Sequence, residues 1–334
     1  MQQFNFSITR KTETHFRHFS EVGGRCFSAL RHRTNLLLVM LVFLATACGG
    51  GGGGDSGGGQ SKLAVSNYTA FSKPELVLIK GYGGDIMEPF ISRNGNYLFF
   101  NDNGRKNIFY ATYVNDTTFQ YAGPINAINT SAVEGAPTMD ATNKFYYVST
   151  ARYNLPPGTY DTLYSGTWNG KTVIGSAVLT GLASKKPGFI DFDVAVSPDG
   201  STIYFSEGDF GSGNNFPSAD EIVVAVKSGS GFTRLPNSST IMANVNTADL
   251  EYAPAISADG RELFFTRLDL SSMTTGIYRA ARANTGSPFD APQLVSAIAG
   301  FVEGPALSPD EKSLYYHRQN TDTGVFELYR VTRP

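Results

Sequence analysis

The sequence predicts an all-β chain folded as a five-bladed β-propeller of four-stranded antiparallel blades. Three observations carry that expectation. A 13-residue unit occurs five times without a gap: PFISRNGNYLFFN from Pro89, PTMDATNKFYYVS from Pro137, VAVSPDGSTIYFS from Val194, PAISADGRELFFT from Pro254 and PALSPDEKSLYYH from Pro305. The copies start 48, 57, 60 and 51 residues apart, a period that marks radial repetition of small sheets when each unit has strand-like content. Finally, a segment near the N-terminus duplicates a piece that the last copy lacks.

Each unit reads as a hairpin. Positions 1 to 4 form a short strand with an apolar residue at position 3 (Ile91, Met139, Val196, Ile256, Leu307). Positions 6 and 7 form the turn, where Asn94-Gly95, Asp199-Gly200 and Asp259-Gly260 suit the positive φ values of tight hairpins. Asn143 tolerates that conformation in the second copy, and Glu311 is the least suited occupant in the fifth. Positions 10 to 12 are apolar throughout, as in Leu263-Phe264-Phe265, which marks a strand buried on both faces. A third strand follows each hairpin, for example Ile108 to Ala111 and Ile277 to Ala280. A weaker fourth carries an aromatic and then proline: Phe119 with Pro124, Phe232 with Pro236, Phe289 with Pro292. Proline suits an outer edge, where a missing donor costs little. The second copy lacks this fourth signature, and Trp168 beside Asn169-Gly170 reads as part of an outer turn.

The fifth copy has no fourth strand, because Pro334 follows its third strand directly. Phe71-Ser72-Lys73-Pro74-Glu75-Leu76-Val77 matches Phe289-Asp290-Ala291-Pro292-Gln293-Leu294-Val295. The N-terminal segment is therefore expected to complete the last blade and close the ring, removing open edges.

The chain divides into three expected parts: an export signal at 1–47, a flexible tether at 48–68 and the propeller at 69–334. Arg25, Arg31 and Arg33 precede a 12-residue apolar run from Leu36 to Ala47, too short to span a bilayer as a helix. The run ends in Ala45-Thr46-Ala47-Cys48, which resembles the bacterial lipoprotein box, with Ala45 where the box usually has leucine. The resemblance implies lipidation at Cys48, which becomes the mature N-terminus. Gly49 is not the aspartate that retains many lipoproteins at the inner membrane, so it implies the outer membrane, facing the periplasm or the surface. Gly49 to Gly54 and Gly57 to Gly59 form a glycine-rich coil reaching on the order of 25 Å. Without residues 1–47 the chain keeps 21 basic and 27 acidic residues, a net charge of −6 that argues against nucleic acid. Cys26 leaves with the signal, so no disulfide is expected in the folded domain.

Ser197-Pro198-Asp199-Gly200 followed by an apolar strand, with Ser308-Pro309-Asp310 as a near match, resembles the WD40-like Pro-Asp repeat of TolB-type propellers. The resemblance covers about residues 69–334. It implies the propeller architecture and leaves function open, since such propellers range from envelope scaffolds to accessory domains of enzymes.

Each blade opens with a carboxylate just before its first strand: Asp85 and Glu88, Glu134, Asp191 and Asp193, Glu251, Glu303. Pooled at one channel mouth, these acids are expected either to hold Ca²⁺ or a polar ligand, or to bond backbone amides of the neighbouring blade. The loops between second and third strands bring Arg152, Arg267, Arg318, Tyr153 and Tyr160 to the same mouth, a setting that could grip a glycan or peptide. Glu207 to Asn215 loosely resembles a Ca²⁺ loop. His317 is the only histidine after residue 47, which excludes a histidine metal cluster. No nucleophile elbow, Walker loop or dinucleotide fingerprint occurs, so neither a nucleotide nor another cofactor is expected beyond Ca²⁺. The sequence favours a lipid-anchored, non-enzymatic module that binds an envelope protein or glycan at the loop-rich mouth. The alternative is a carbohydrate-active enzyme, since five-bladed glycosidases resemble this layout; Glu134, Glu251 and Asp191 would be its acids.

Overall fold

A computed structural model of the chain describes residues 65–151, 161–183, 186–211 and 217–334. The expected export signal, most of the tether, Cys48, Arg152, Tyr153 and Tyr160 lie outside these residues. Among the described residues nearly all regular structure is β, with one helical turn at Ser238–Ile241. Antiparallel runs of four strands recur along the chain. Met87–Ile91, Tyr97–Asn101, Ile108–Asn115 and Thr118–Pro124 pair in order, as do Glu134–Met139, Lys144–Ser149, Leu163–Trp168 and Val173–Val178. Val302–Leu307, Ser313–Gln319 and Phe326–Thr332 form a third such sheet with Glu75–Leu76 on its edge, in the register Glu75↔Arg330 and Leu76↔Tyr329.

Two further runs share one sheet. Phe189–Val196, Thr202–Asp209, Asp220–Ser228 and Gly231–Arg234 join Leu250–Ile256, Glu262–Asp269, Thr274–Ala281 and Gln293–Val295 through a single parallel bridge, Asp220↔Leu250. That bridge makes the sheet mixed. The N-terminal segment adds two short parallel strands without counterparts in the repeat. Asn67–Tyr68 lies along Gln293–Val295, and Leu78–Lys80 along Thr118–Pro124. Strands of two and three residues carry too little periodicity to be read from sequence.

The hairpin turn differs in detail from the expected pair of left-handed residues. Only position 7 has positive φ, in all five copies: Gly95, Asn143, Gly200, Gly260 and Glu311. The N–H of Gly95 donates to the Ser92 carbonyl, and Gly200 and Glu311 repeat this with Ser197 and Ser308, so a type I turn is followed by one left-handed residue. The Ser-x-Asp spacing closes the turn. Ser197 Oγ donates to Asp199 Oδ1 at 2.6 Å, Ser308 Oγ to Asp310 at 2.5 Å, and Ser257 Oγ to Asp259 at 2.8 Å. Glu311 has its own reason to stand at position 7, because its carboxylate accepts the Ala258 N–H of the neighbouring repeat.

Second strands fill the space between sheets, as their continuous apolar runs predict. Leu98, Phe99, Phe100, Leu263, Phe264 and Phe265 are all fully buried. One cluster joins Val77, Phe100 and Phe119 to Ala306, Tyr315 and Leu328, packing the first and last repeats together. The hairpin turn at Asn169-Gly170 does follow Trp168, joining its strand to Val173–Val178, but the Trp168 side chain packs into the core. It closes its strand at 3% exposure, with ring contacts to Phe99 at 4.9 Å and Tyr110 at 5.0 Å. The second repeat does have a fourth strand, Val173–Val178, without the aromatic–proline signature. Since Trp168 is the lone tryptophan, its fluorescence reports this core. Emission is expected in the blue of the indole range and to shift red on unfolding. Trp168→Ala is expected to lower stability by about 3–5 kcal/mol, read by chemical denaturation with circular dichroism.

Candidate functional site

The site begins with a backbone device repeated five times. The residue just before each 13-residue unit has a left-handed backbone: Glu88 (φ 46°), Ala136 (48°), Asp193 (47°), Ala253 (49°) and Gly304 (64°). At each of them the pairing with the second strand slips, between Met87/Phe90, Gly135/Thr138, Phe192/Ala195, Tyr252/Ala255 and Glu303/Ala306. This is a bulge in every first strand, held at about 1–2 kcal/mol for each non-glycine residue. Its effect is to aim one N–H at the preceding repeat. The last residue of the unit receives it there: Asn101 Oδ1 accepts from Ala136 at 3.3 Å, Thr266 Oγ1 from Gly304 at 3.1 Å, and His317 Nδ1 from Glu88 at 3.1 Å. The third of these bonds links the last repeat to the first.

The bulge positions also line a cavity shared by all five first strands, from Glu88, Ala136, Asp193, Ala253 and Gly304 towards Arg93, Ile256 and Leu307. Its wall carries Pro89, Pro137, Val194, Pro254 and Pro305 at one level. Arg93 reaches across the far end, donating to the Met139 carbonyl at 3.1 Å and the Val196 carbonyl at 2.8 Å.

The opening acids do not form one group. Glu134, Asp191 and Glu251 stand two residues before the unit's left-handed neighbour and are each tied within their own repeat. Glu134 is fully buried and accepts from Thr130 N–H (2.9 Å), Thr130 Oγ1 (2.7 Å) and Ser149 Oγ (2.8 Å). Glu251 repeats this with Thr247 N–H (2.8 Å) and Thr247 Oγ1 (2.6 Å), and takes Arg267 Nε at 2.6 Å. Both belong to an Asn-Thr-x-x-x-Glu pattern, in which Asn129 and Asn246 bond both backbone groups of Ile108 and Ile222. Asp191 pairs with Arg234 at 2.8 Å, a guanidinium it shares with Glu207. Burial outweighs that cation and pushes the Asp191 carboxyl up to about 8. Arg318 lies flat over Tyr329 at 3.7 Å. Of the loose Ca²⁺ loop, Glu207 is this ion-pair partner, and Asp209 Oδ1 accepts the Gly211 N–H at 2.8 Å; residues 212–216 lie outside the described set.

Glu88, Glu303 and His317 do come together, with Asp193 and Tyr252 beside them. Glu303, 1% exposed, accepts from the Tyr252 hydroxyl and from His317 Nε2 at 3.1 Å. Since His317 Nδ1 accepts the Glu88 N–H, the ring's other nitrogen, Nε2, is the donor to Glu303. The Glu88 carboxylate accepts the Ala136 N–H of the next repeat at 2.6 Å. It borders the cavity and is half-buried; desolvation raises it above the usual carboxylate range, and Glu303 adds to the shift. Asp193 holds the equivalent position two repeats on, one methylene shorter. It faces the Ala253 N–H without making a hydrogen bond, and both its oxygens are unpartnered at 2% exposure. Burial, then Glu88 and Glu303, drive its pKa well up. Asp220, at the parallel bridge, is likewise buried and unpartnered, raised first by burial and then by Asp193. Among the described residues, no group of three or more His, Cys, Asp or Glu is placed to hold a metal ion. Tyr252 and Asp220 stand out in no sequence pattern. Glu88 and Asp193 had one: sorted by repeat position, they are the only acids in the bulge column.

Solved structures share this architecture. The endo-arabinase of Bacteroides thetaiotaomicron aligns with a TM-score of 0.51 at 12% identity, over 78% of this chain and 97% of that one. The fold is a β-propeller. The catalytic domain of a GH62 α-L-arabinofuranosidase from Coprinopsis cinerea gives 0.50 at 12% identity, over 80% and 97%. TolB of Acinetobacter baumannii gives 0.42 at 12% identity; it is matched over 75% of this chain, which spans about half of that one, 54%. At these identities the likeness is one of fold. No protein-family model and no curated protein matches the chain.

Three outcomes follow from the buried acids. Carboxyls raised on folding contribute stability that is complete below the unfolded value near 4 and is lost as pH rises through the folded value, about 8 for Asp191. Serine hydroxyls hold Asp199 and Asp310 low, so those two weaken the fold only under more acid conditions. The melting temperature is therefore expected to fall from pH 5 to pH 8. Asp193→Asn is expected to flatten that slope and to stabilise at pH 8 by about 1–3 kcal/mol, the cost of an unsatisfied buried group. Glu251→Gln is expected to destabilise by about 1–3 kcal/mol with or without Ca²⁺, since it weakens bonds from Thr247 and Arg267.

Proposed function

We propose that the chain is a lipid-anchored cell-envelope propeller that binds a protein or glycan partner at its loop-rich mouth without catalysing a reaction on it. Five blades and a closed ring belong to this reading. It is supported by the pairing of Glu75–Leu76 with the last strand, the His317–Glu88 bond between last and first repeats, and a cavity lined by all five first strands. The anchor reading rests on Cys48 after its small residues and on the glycine-rich stretch that follows.

One observation carries the choice between module and enzyme. Glu134 and Glu251, the acids a glycosidase reading needs, are fully buried and already hold three hydrogen bonds each from threonine, serine or arginine. Asp191 is locked to Arg234. A general acid or nucleophile must reach substrate, and these cannot do so without dismantling the loops they hold. The fold shared with an endo-arabinase and an α-L-arabinofuranosidase keeps the enzyme reading as the outcome to test against.

The test uses the full chain in cells, with a photo-crosslinking residue at Thr323 in the mouth or at Ile174 on an outer edge. A discrete adduct from Thr323 and none from Ile174 is expected. Turnover of arabinan or aryl glycosides by the purified chain, lost in Glu251→Gln, would overturn the non-enzymatic reading. Incorporation of labelled palmitate that disappears in Cys48→Ala is the expected result for the anchor.

A further inference from the structure

Asp193 is a carboxylate with nothing to answer it. Its oxygens accept no hydrogen bond, it is 2% exposed, and it borders the cavity that runs along the five first strands. The ionisable side chains beside it, Glu88 and Glu303, are acids as well. The cavity floor is therefore lined by carboxyl groups, and its wall is not. Four prolines and a valine form the next level, followed by Phe90, Thr138, Ala195, Ala255 and Ala306, so that the hydroxyl of Thr138 is the one polar group of this mainly apolar stretch. A strand rise of about 3.3 Å per residue makes this apolar sleeve on the order of 7–10 Å long. Arg93 lies at the far end, where its guanidinium is turned to the Met139 and Val196 carbonyls.

Size and chemistry narrow the occupant. The cavity has a volume of about 50 Å³. At about 10–15 Å³ for each water-sized group it takes about three to five such groups, enough for a charged nitrogen and a short stem and too few for a sugar ring. A bare metal ion would need several oxygens converging on it, an arrangement the described residues do not offer. A primary ammonium needs less: three hydrogen bonds, one full counter-charge, and an apolar lining for its methylenes.

We propose that this cavity is a binding site for a primary alkylammonium group, held with its nitrogen at Asp193 and its stem along the proline-lined sleeve. It is separate from the loop-rich mouth of the functional reading above, because it leads from the bulge towards the hairpin turns. The same chemistry is carried by a free amine and by a lysine side chain of a partner.

The test is thermal unfolding and calorimetry of the detergent-purified full chain with butylammonium, with Nα-acetyl-lysine methylamide, with butanoate and with Ca²⁺. Butylammonium is expected to bind and raise the melting temperature, and butanoate to have no effect. Binding of the lysine probe as well assigns the site to a protein side chain; its failure alone assigns it to a free amine. Asp193→Asn, expected to fold, should weaken amine binding at least tenfold. Ala255→Leu should do the same by filling the sleeve while leaving the carboxylate in place. Stabilisation by Ca²⁺ but not by amines would overturn the proposal in favour of a metal. No binding of any probe, with Asp193→Asn simply more stable, would overturn it in favour of a carboxyl kept protonated. Neither result touches the Thr323 adduct, so the functional reading stands or falls separately.

Discussion

The structure depends on one left-handed residue per repeat. Without a bulge before position 1, the backbone N–H there would point along its own sheet and could not reach the preceding repeat. With it, each first strand offers a donor sideways to its neighbour, and the last residue of the preceding unit is polar to receive it. Asn101, Thr266 and His317 do so, while Ser149 turns to Glu134 instead and Ser206 Oγ has no partner. The non-directional hydrophobic effect packs the sheets; these directional bonds fix how far one slides past the next. Glycine appears in the bulge column where crowding demands it. A Cβ on Gly304 would lie 2.9 Å from His317 Nδ1 and 3.2 Å from Glu88 Cα, inside the junction of last and first repeats.

The same device places the charges. A side chain at the bulge points to the shared cavity, whereas one two residues earlier points into its own loops. Three acids thereby became parts of loop scaffolds, and two became the floor of a cavity. Glu88 is long enough to reach the next repeat's N–H; Asp193 is not, and that missing methylene is the whole difference between a satisfied acid and an unsatisfied one. Natural sequences keep unsatisfied buried charge rarely, because it opposes folding, and it concentrates where a ligand completes it.

Much of the architecture was legible in the residues. The 13-residue unit shows strand, turn and buried strand directly, because each has its own period and turn chemistry. The Phe71–Val77 duplication pointed to the strand pairing of Glu75–Leu76, since the two segments share aromatic, proline and apolar spacing. Less visible were features set by three-dimensional neighbours. Trp168 looked like a turn residue from its Asn-Gly neighbours but is surrounded by Phe99, Tyr110 and Phe145 from other strands. The acids looked alike as carboxylates near a strand start, and only a two-residue offset separates a loop anchor from a cavity floor. Asp220 reaches the cluster through a parallel bridge between repeats, which no local pattern encodes.

The N-terminal segment stitches three sheets, through Asn67–Tyr68, Glu75–Leu76 and Leu78–Lys80. During synthesis this has a consequence in time. Residues 67–80 precede every repeat, yet their partners are spread along the chain: Leu78–Lys80 meets Thr118–Pro124 early, whereas Glu75 waits for Arg330, 255 residues later. Every sheet between them can form while the chain is still growing, but the first and last cannot be joined until the final residues are free. The edge of Phe326–Thr332 that Glu75–Leu76 covers is therefore closed by a long-range step, slow by topology rather than by any local barrier.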